Sequence, residues 1–464
     1  MRALTSLDSM FIAAEDGRTV ANVSSLAILD SADVNENRLT RSDIQELVAQ
    51  RLHLLPPLRW RLVDVPLGLG HPSWVDCGND IDLDYHVRET ALPAPGGQDV
   101  LESLVARLSA HPMDRSRPLW EVYLIHGLRD DRVALLTKLH HAAVDGLSGG
   151  EVLNVLFDAT AESPSCAVEN ESSPERAPGG LGMLARAIAE MPRRQLHSAG
   201  AARRALASVG RAALSTSTPR APRLPFNGKI TPHRRVALTS LAMGDVLAIK
   251  TYFDATVNDV VVALCAGALR RWLADHDQLP EKALVAAIPV SERAPDERRT
   301  YGNRVGAMLA GLPTNEPQPH LRLWRSRTEL RAAKKRHESV PRSLMRDLND
   351  LVPPIVFGPT VRAVTGFAAG EVGAPVANLV ISNVPGPRTP LYFAGRAVRE
   401  HYPVSAVSDS LGLNVTVFSY VDRLEIGLVA DRGLVDDLAS LGEAFEQEMR
   451  LLMQCVYQPG GSRT

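Results

Sequence analysis

The run Arg132-Val133-Ala134-Leu135-Leu136-Thr137-Lys138-Leu139-His140-His141-Ala142-Ala143-Val144-Asp145-Gly146 decides how the chain is read. Its first eight residues are mostly apolar and β-favouring, so they read as a strand. After Gly146 and Leu147-Ser148-Gly149-Gly150 the spacing becomes helical, because Val152, Leu153, Leu156 and Phe157 share one face. An HHxxxDG sequence therefore sits where a strand gives way to a loop.

Successive strand residues face opposite ways, so if the strand continues through the pair, His140 and His141 cannot address the same substrate atom. One can do chemistry while the other supports it. An imidazole titrating near neutrality can take a proton from a hydroxyl and return it in a later step. Asp145 can fix the loop, either against a histidine or by pairing with an arginine. A buried histidine is also an ordinary hydrogen-bonded core residue, and packing remains the competing account of the pair. Metal binding is a third and weaker account, since adjacent strand histidines diverge and no other His/Cys cluster has ligand spacing.

At 464 residues the chain exceeds the size at which one core keeps growing, so two domains are expected. We place them at 1–160 and 225–464, joined by a crossover at 161–224, each an α/β unit with a mixed sheet covered by helices. The crossover starts in a Ser/Pro/Glu/Gly-rich linker, 161–180. Next, Leu181 to Ala213 carries six arginines against the single acid Glu190, which suits either a solvated connection or a basic surface for anionic lipid or CoA phosphates.

In the first unit, Val20 to Leu29 reads as a strand and Arg41 to Val48 as a helix capped by Thr40 or Ser42. Leu58 to Val63 alternates like a half-exposed strand, and Val100, Leu101, Leu104, Val105 and Leu108 form a helical face. Trp120 opens a strand and, read alone, is a core aromatic. In the second unit Asn258 to Leu273 is an apolar helix for which Asn258 is well placed as N-cap. Strands are expected at 283–290, 305–309 and 378–382, a hairpin at 411–430, and a closing helix from about Asp436 to Val456.

The composition is ordinary for a globular protein, with 45% hydrophobic and 22% charged residues. A net charge of -2 gives no reason to expect nucleic-acid binding. Cys77, Cys166, Cys265 and Cys455 form no CxxC pair, which suits reduced thiols in the cytoplasm. The N-terminus lacks the pattern of a secretory signal. The longest uncharged stretch considered, Val372 to Pro387, has three prolines and is too short to span a bilayer, so any membrane contact is expected to be peripheral.

Several blocks taken together resemble the bacterial wax ester synthase / acyl-CoA:diacylglycerol acyltransferase family. They are Leu4-Thr5-Ser6-Leu7-Asp8-Ser9-Met10-Phe11, Arg117-Pro118-Leu119-Trp120-Glu121, His140 to Gly146, Asn227-Gly228-Lys229-Ile230-Thr231-Pro232-His233-Arg234-Arg235, Val257-Asn258-Asp259-Val260 and Ile381-Ser382-Asn383-Val384-Pro385-Gly386-Pro387. HHxxxDG alone is shared with chloramphenicol acetyltransferase and peptide-synthetase condensation domains; the remaining blocks, in this order, narrow the family.

The resemblance implies two chloramphenicol-acetyltransferase-like domains with an active-site tunnel at their interface. It also implies acyl transfer from long-chain acyl-CoA to diacylglycerol or a long-chain alcohol, with no cofactor. His141 would be the general base, with His140, Asp145 and Gly146 completing the catalytic loop. Pro118, Leu119, Trp120, Asn258, Asp259, Ser382 and Asn383 would shape the substrate site. The implied setting is the cytoplasm, at the inner membrane face or a lipid droplet. Related acyltransferases with another donor or acceptor, and a non-catalytic lipid-binding protein on the same fold, are the alternatives.

Overall fold

The computed structural model describes residues 2–32, 36–144, 152–153, 155–162, 174–176, 179–185, 188–189, 219–291, 305–339 and 375–457. Asp145, Gly146 and most of 161–224 lie outside them. In chain order the strands are β1 (Arg2–Ala3), β2 (Asn22–Asp30), β3 (Trp60–Val63), β4 (Ser73–Asp76), β5 (Val87–Ala91), β6 (Trp120–His126) and β7 (Arg132–His140) in the first half. The second half carries β8 (Arg234–Ala242), β9 (Leu284–Ser291), β10 (Val305–Leu312), β11 (Leu379–Val384), β12 (Tyr392–Phe393), β13 (Arg396–Val404), β14 (Leu413–Tyr420) and β15 (Arg423–Asp431).

Two six-stranded mixed sheets dominate, in the orders β12-β13-β2-β7-β6-β5 and β10-β9-β11-β14-β15-β8, with a small β1-β4-β3 sheet beside the first. The fold is thus α/β with mixed sheets, as the sequence led us to expect. Residue 225 does not divide the sheets cleanly, however. β13 belongs to the C-terminal part of the chain yet pairs antiparallel with β2, His401 facing Ala27 and Val404 facing Ser24. Its mixed composition and a register irregularity between Val398 and Glu400 obscure the alternation by which a strand is recognised.

Three helices start where side chains satisfy free backbone donors in a reciprocal cap. Thr5, Thr40 and Thr256 each accept from a backbone N–H three residues on, while Asp8, Asp43 and Asp259 reach back to the capping residue. Thr256, rather than Asn258, therefore caps the helix Val257–Asp275. The threonine hydroxyl meets the Asp259 N–H, and Asn258 falls inside the first turn. This helix packs with Leu438–Tyr457 and Pro319–Glu338 on the second sheet in one apolar core. No single helix among the described residues is long and apolar enough to cross a membrane; one bent pair qualifies by length and composition, and its longer member, Val257–Asp275, is a buried core helix.

The two sheets meet through a shared core. Leu26 and Ile28 of β2, Leu136 of β7 and Tyr402 of β13 pack with the helix Gln98–Ala110 and with Val236, Leu238 and Val429 of β8 and β15. β8 is an edge strand, and the Gln98 amide donates to the Leu238 carbonyl while Glu102 accepts from its N–H, which covers the open edge. Gly427 of β15 lies so close to β13 that a Cβ there would sit 1.7 Å from the Pro403 carbonyl oxygen. Gly427→Ala must push the sheets apart, and we expect a loss of about 1–3 kcal/mol or more, read as a lower thermal unfolding temperature. Unfolding like the wild type would mean that this contact is not close.

Glu425, two residues away, is fully buried. Burial raises its carboxyl, the Ser240 hydroxyl offsets part of that, and nearby Glu400 raises it again, to about 7 from an ordinary 4.5. A raised folded-state value means that stability present below about pH 4.5 is lost as pH rises through 7. Glu425→Gln should remove this loss, unfolding at a higher temperature than wild type at pH 8 and at a similar one at pH 5; parallel pH profiles for the two proteins would refute it.

Candidate active site

β7 ends at His140, and the chain turns at His141, so the two rings diverge at a strand end. The His140 peptide N–H donates to Leu119 and that of His141 to Ala21, at 3.0 and 2.7 Å. The turn closes when Ala143 donates to the His140 carbonyl at 2.9 Å. Ala142, Ala143 and Val144 then drop into the apolar cluster on the outer face of the first sheet.

The His140 ring is buried and engaged at both nitrogens. Nδ1 accepts from the Ala142 N–H at 3.0 Å, which places the ring proton on Nε2, facing Glu15 Oε1 at 3.0 Å. Glu15 also accepts from the Ala21 N–H and from Arg115, whose guanidinium reaches it at 2.8 Å. Burial pushes this carboxyl up, but the His140 hydrogen bond and attraction, with Arg115 and the Ala21 N–H, outweigh it and hold it at about 2. His141 is half-buried and stacks on Phe11 of the helix Ser6–Ala14, with centroids 4.1 Å apart and planes 20° from parallel. One histidine is thus a fixed support, and the other presents a ring at the turn.

The segment that includes Val155 to Asp158 is held by a buried arginine. Arg51 donates to the Val155 and Leu156 carbonyls at 2.9 and 3.0 Å and makes two 2.8 Å bonds to the Asp158 carboxylate, all but the first in a buried setting. Arg51 therefore satisfies carbonyls at the end of a helical turn, with its charge paired.

The second sheet has a gap between two of its strands. β11 runs parallel to β14 through Val384 but pairs with β9 only at Leu379 and Val380, so β9 and β11 part before Ser382 and Asn383. Ser382, Asn383 and Val384 are partly exposed at the carboxyl end of a parallel strand, where open sheets commonly bind ligands. Asn258, in the first turn of its helix, accepts from the Asn383 amide at 3.4 Å. Val384 leans on the same apolar cluster that takes Ala142 to Val144. The end of β11 and the histidine turn thus both touch this cluster.

The remaining expected site residues lie deeper. Trp120 donates its indole N–H to the Leu58 carbonyl at 2.7 Å and stacks on His86 at 4.2 Å, while Leu119 is buried and supplies the carbonyl for His140. Pro118 is buried and bridges Arg61. Their described contacts are packing and backbone bonds behind the histidines. Asp259 is likewise a buried capping residue. Glu15 and Arg115 were missed, because they are joined to His140 only by the fold; residues 15 and 140 have no spacing that marks them as partners. Among the described residues no group of three His, Cys, Asp or Glu side chains could hold a metal ion.

Residues 4–261 match the wax ester synthase/diacylglycerol acyltransferase catalytic domain, and residues 301–453 match the C-terminal domain of the same proteins. The chain belongs to this family. Its structure superposes on the wax ester synthase/diacylglycerol acyltransferase from Marinobacter aquaeolei VT8 with a TM-score of 0.72 and 31% identity, covering 99% of this chain and 100% of the other. A probable diacylglycerol O-acyltransferase of Mycobacterium tuberculosis (strain H37Rv) is 32% identical over 97% of this chain and 98% of its own length. The first condensation domain of the calcium-dependent antibiotic synthetase shares the fold at a TM-score of 0.60 and 15% identity, over 99% of this chain and 97% of that domain. The protein is an acyltransferase of this family.

Glu15 holds the His140 ring in place through their 3.0 Å contact. Losing a charge-assisted hydrogen bond worth about 1.5–3 kcal/mol should lower kcat by roughly ten- to a hundredfold in Glu15→Ala, and less in Glu15→Gln, which can still accept. Since the folded carboxyl is depressed, its stabilisation is present above about pH 4.5 and fades as pH falls towards 2. The unfolding temperature of Glu15→Gln should therefore lie below that of wild type at neutral pH and converge with it in acid. An unchanged kcat in the alanine variant would show that His140 needs no such support.

Proposed function

We propose that the enzyme transfers a long-chain acyl group from acyl-CoA to diacylglycerol, forming triacylglycerol, and that it also accepts long-chain alcohols to give wax esters. The observation that carries the roles is the division between the histidines: His140 has both ring nitrogens committed, while His141 stands at the turn with its ring stacked on Phe11. In this reading His141 takes the acceptor hydroxyl proton, and the oxygen attacks the thioester carbon. Collapse of the tetrahedral intermediate breaks the C–S bond, and the imidazolium returns the proton to the departing thiolate. The products are an ester and free CoA, and no covalent acyl-enzyme, metal or cofactor enters.

Asn258 and Asn383, with Ser382, lie at the opening between β9 and β11 and are suited to orient the substrates by hydrogen bonds; Asp145 and Gly146 would shape the loop that carries His141. Pro118, Leu119 and Trp120 back that loop. The absence of a membrane-spanning helix among the described residues fits peripheral association with the inner membrane face or a lipid droplet. Leu181 to Ala213, the basic stretch considered for that contact, lies mostly outside the described residues.

His141→Ala should lower turnover by about 10²–10⁴-fold while leaving thermal unfolding unchanged. A folded variant with full activity would end the assignment of the base. The acceptor is tested by offering one long-chain acyl-CoA with diacylglycerol, monoacylglycerol or a fatty alcohol, and the donor by comparing acyl-CoA with an acyl carrier protein. Failure to acylate diacylglycerol would overturn the proposed acceptor.

A further inference from the structure

The helix Pro319–Glu338 carries seven arginines and lysines against Glu329 and Glu338. Its inward side is fixed. Arg322 makes a buried pair with Glu448 at 2.7 and 2.9 Å, and Leu323, Ser326, Leu330 and Ala333 are buried around it. The outward side presents Trp324, Thr328, Arg331 and Lys335 at helical spacing, flanked by Arg325 and Lys334. Glu329 turns away, its carboxylate lying against Gly311 of β10. Among the described residues no acid lies within ion-pair distance of Arg331, Lys334 or Lys335.

Trp324 stands apart from the other tryptophans. It is 60% exposed, whereas Trp60, Trp74, Trp120 and Trp272 are 9% exposed or less. An indole in water beside clustered cations is well suited to an anionic bilayer surface, where the ring sits at headgroup level and the cations meet lipid phosphates. The helix also lies next to the site. Arg327, three residues beyond Trp324, donates to Asp254 at 3.2 Å and to the Phe253 carbonyl, in the loop that leads to Asn258.

We propose that this outward face docks the enzyme on anionic phospholipid, with Trp324 as a shallow anchor and Arg331, Lys334 and Lys335 as its electrostatic contacts. Docking there would bring the Asn258 end of the helix Val257–Asp275 to the surface that holds the lipid acceptor. That consequence rests on the acceptor proposed above, whereas the docking itself does not.

The tryptophan distribution supplies the probe. With full-length protein, acrylamide should quench chiefly Trp324. Vesicles of phosphatidylglycerol and phosphatidylcholine should protect that fluorescence and shift it to the blue, while phosphatidylcholine alone should do so far less. Trp324→Phe should abolish the protectable signal. Replacing Arg331, Lys334 and Lys335 together with glutamine should weaken co-sedimentation by about tenfold or more, and added salt should weaken wild-type binding likewise. Both variants should retain wild-type turnover of a short-chain acyl-CoA with a water-soluble alcohol, and lose rate on vesicle-borne diacylglycerol in step with binding.

Equal sedimentation of wild type and the triple variant, or quenching of Trp324 that vesicles leave unaltered, would overturn the inference. So would protection by soluble polyglutamate but not by vesicles, which would mark the face as a site for an acidic protein. Docking that persists in an enzyme unable to acylate detergent-dispersed diacylglycerol would leave this inference standing and remove only the proposed acceptor.

Discussion

The period of two along β7 sets the terms for the rest of the structure. Lys138 and His140 share one face of the strand, and each is matched to a buried carboxylate: Lys138 Nζ lies 3.1 Å from Glu121, and His140 Nε2 lies 3.0 Å from Glu15. Val133, Leu135 and Leu139, on the other face, enter the apolar outer cluster. A slip of one residue would carry Lys138 and His140 into that cluster without their acids and move the leucines into the polar row. Burying the Lys138 charge and the His140 N–H without their partners would be costly, so these two buried contacts help to fix the register. The register then places His141 one residue beyond the last paired position, at the turn.

The same logic separates what could be read in the sequence from what could not. β7 declares itself by a continuous apolar, β-favouring run, and the helix after Thr256 and the closing helix by apolar residues recurring at helical spacing. HHxxxDG marked the turn at the end of β7, and the peptide blocks around it named the family. β13 escaped because Arg399, Glu400 and Pro403 interrupt its apolar run and a register irregularity shifts its faces. The N-cap of the helix Val257–Asp275 was misplaced by two residues, because Thr256 and Asn258 are both good caps and only the backbone turn decides between them.

The candidate site was legible in its outline and hidden in its supports. Asn258 and Asn383 belong to separate sequence blocks, and nothing in either predicts their 3.4 Å contact. Trp120 read alone as a core aromatic, with a place in the substrate wall implied only by the resemblance; the structure uses both ends of its indole, with the ring against His86 and the N–H on Leu58, which accounts for its place in the packing. Glu15 and Arg115 carry no local signature at all. A carboxylate that acts through tertiary contact becomes visible only when a helix from the start of the chain is laid beside the end of β7.

These contributions come from segments that neither half of the chain could assemble alone. Phe11 and Glu15 arrive from the first helix and its exit, the histidines from β7, Asn258 from the start of a helix in the second half, and Asn383 from β11. Their geometry depends on how the two sheets dock, and β13 couples them directly: it completes the first sheet through β2 while its Pro403 carbonyl presses on Gly427 of the second. Only glycine permits that approach, because any Cβ would occupy the space of the carbonyl oxygen. The docking of the two sheets therefore includes a steric allowance far along the chain from HHxxxDG, and the strand least evident in the sequence takes part in it.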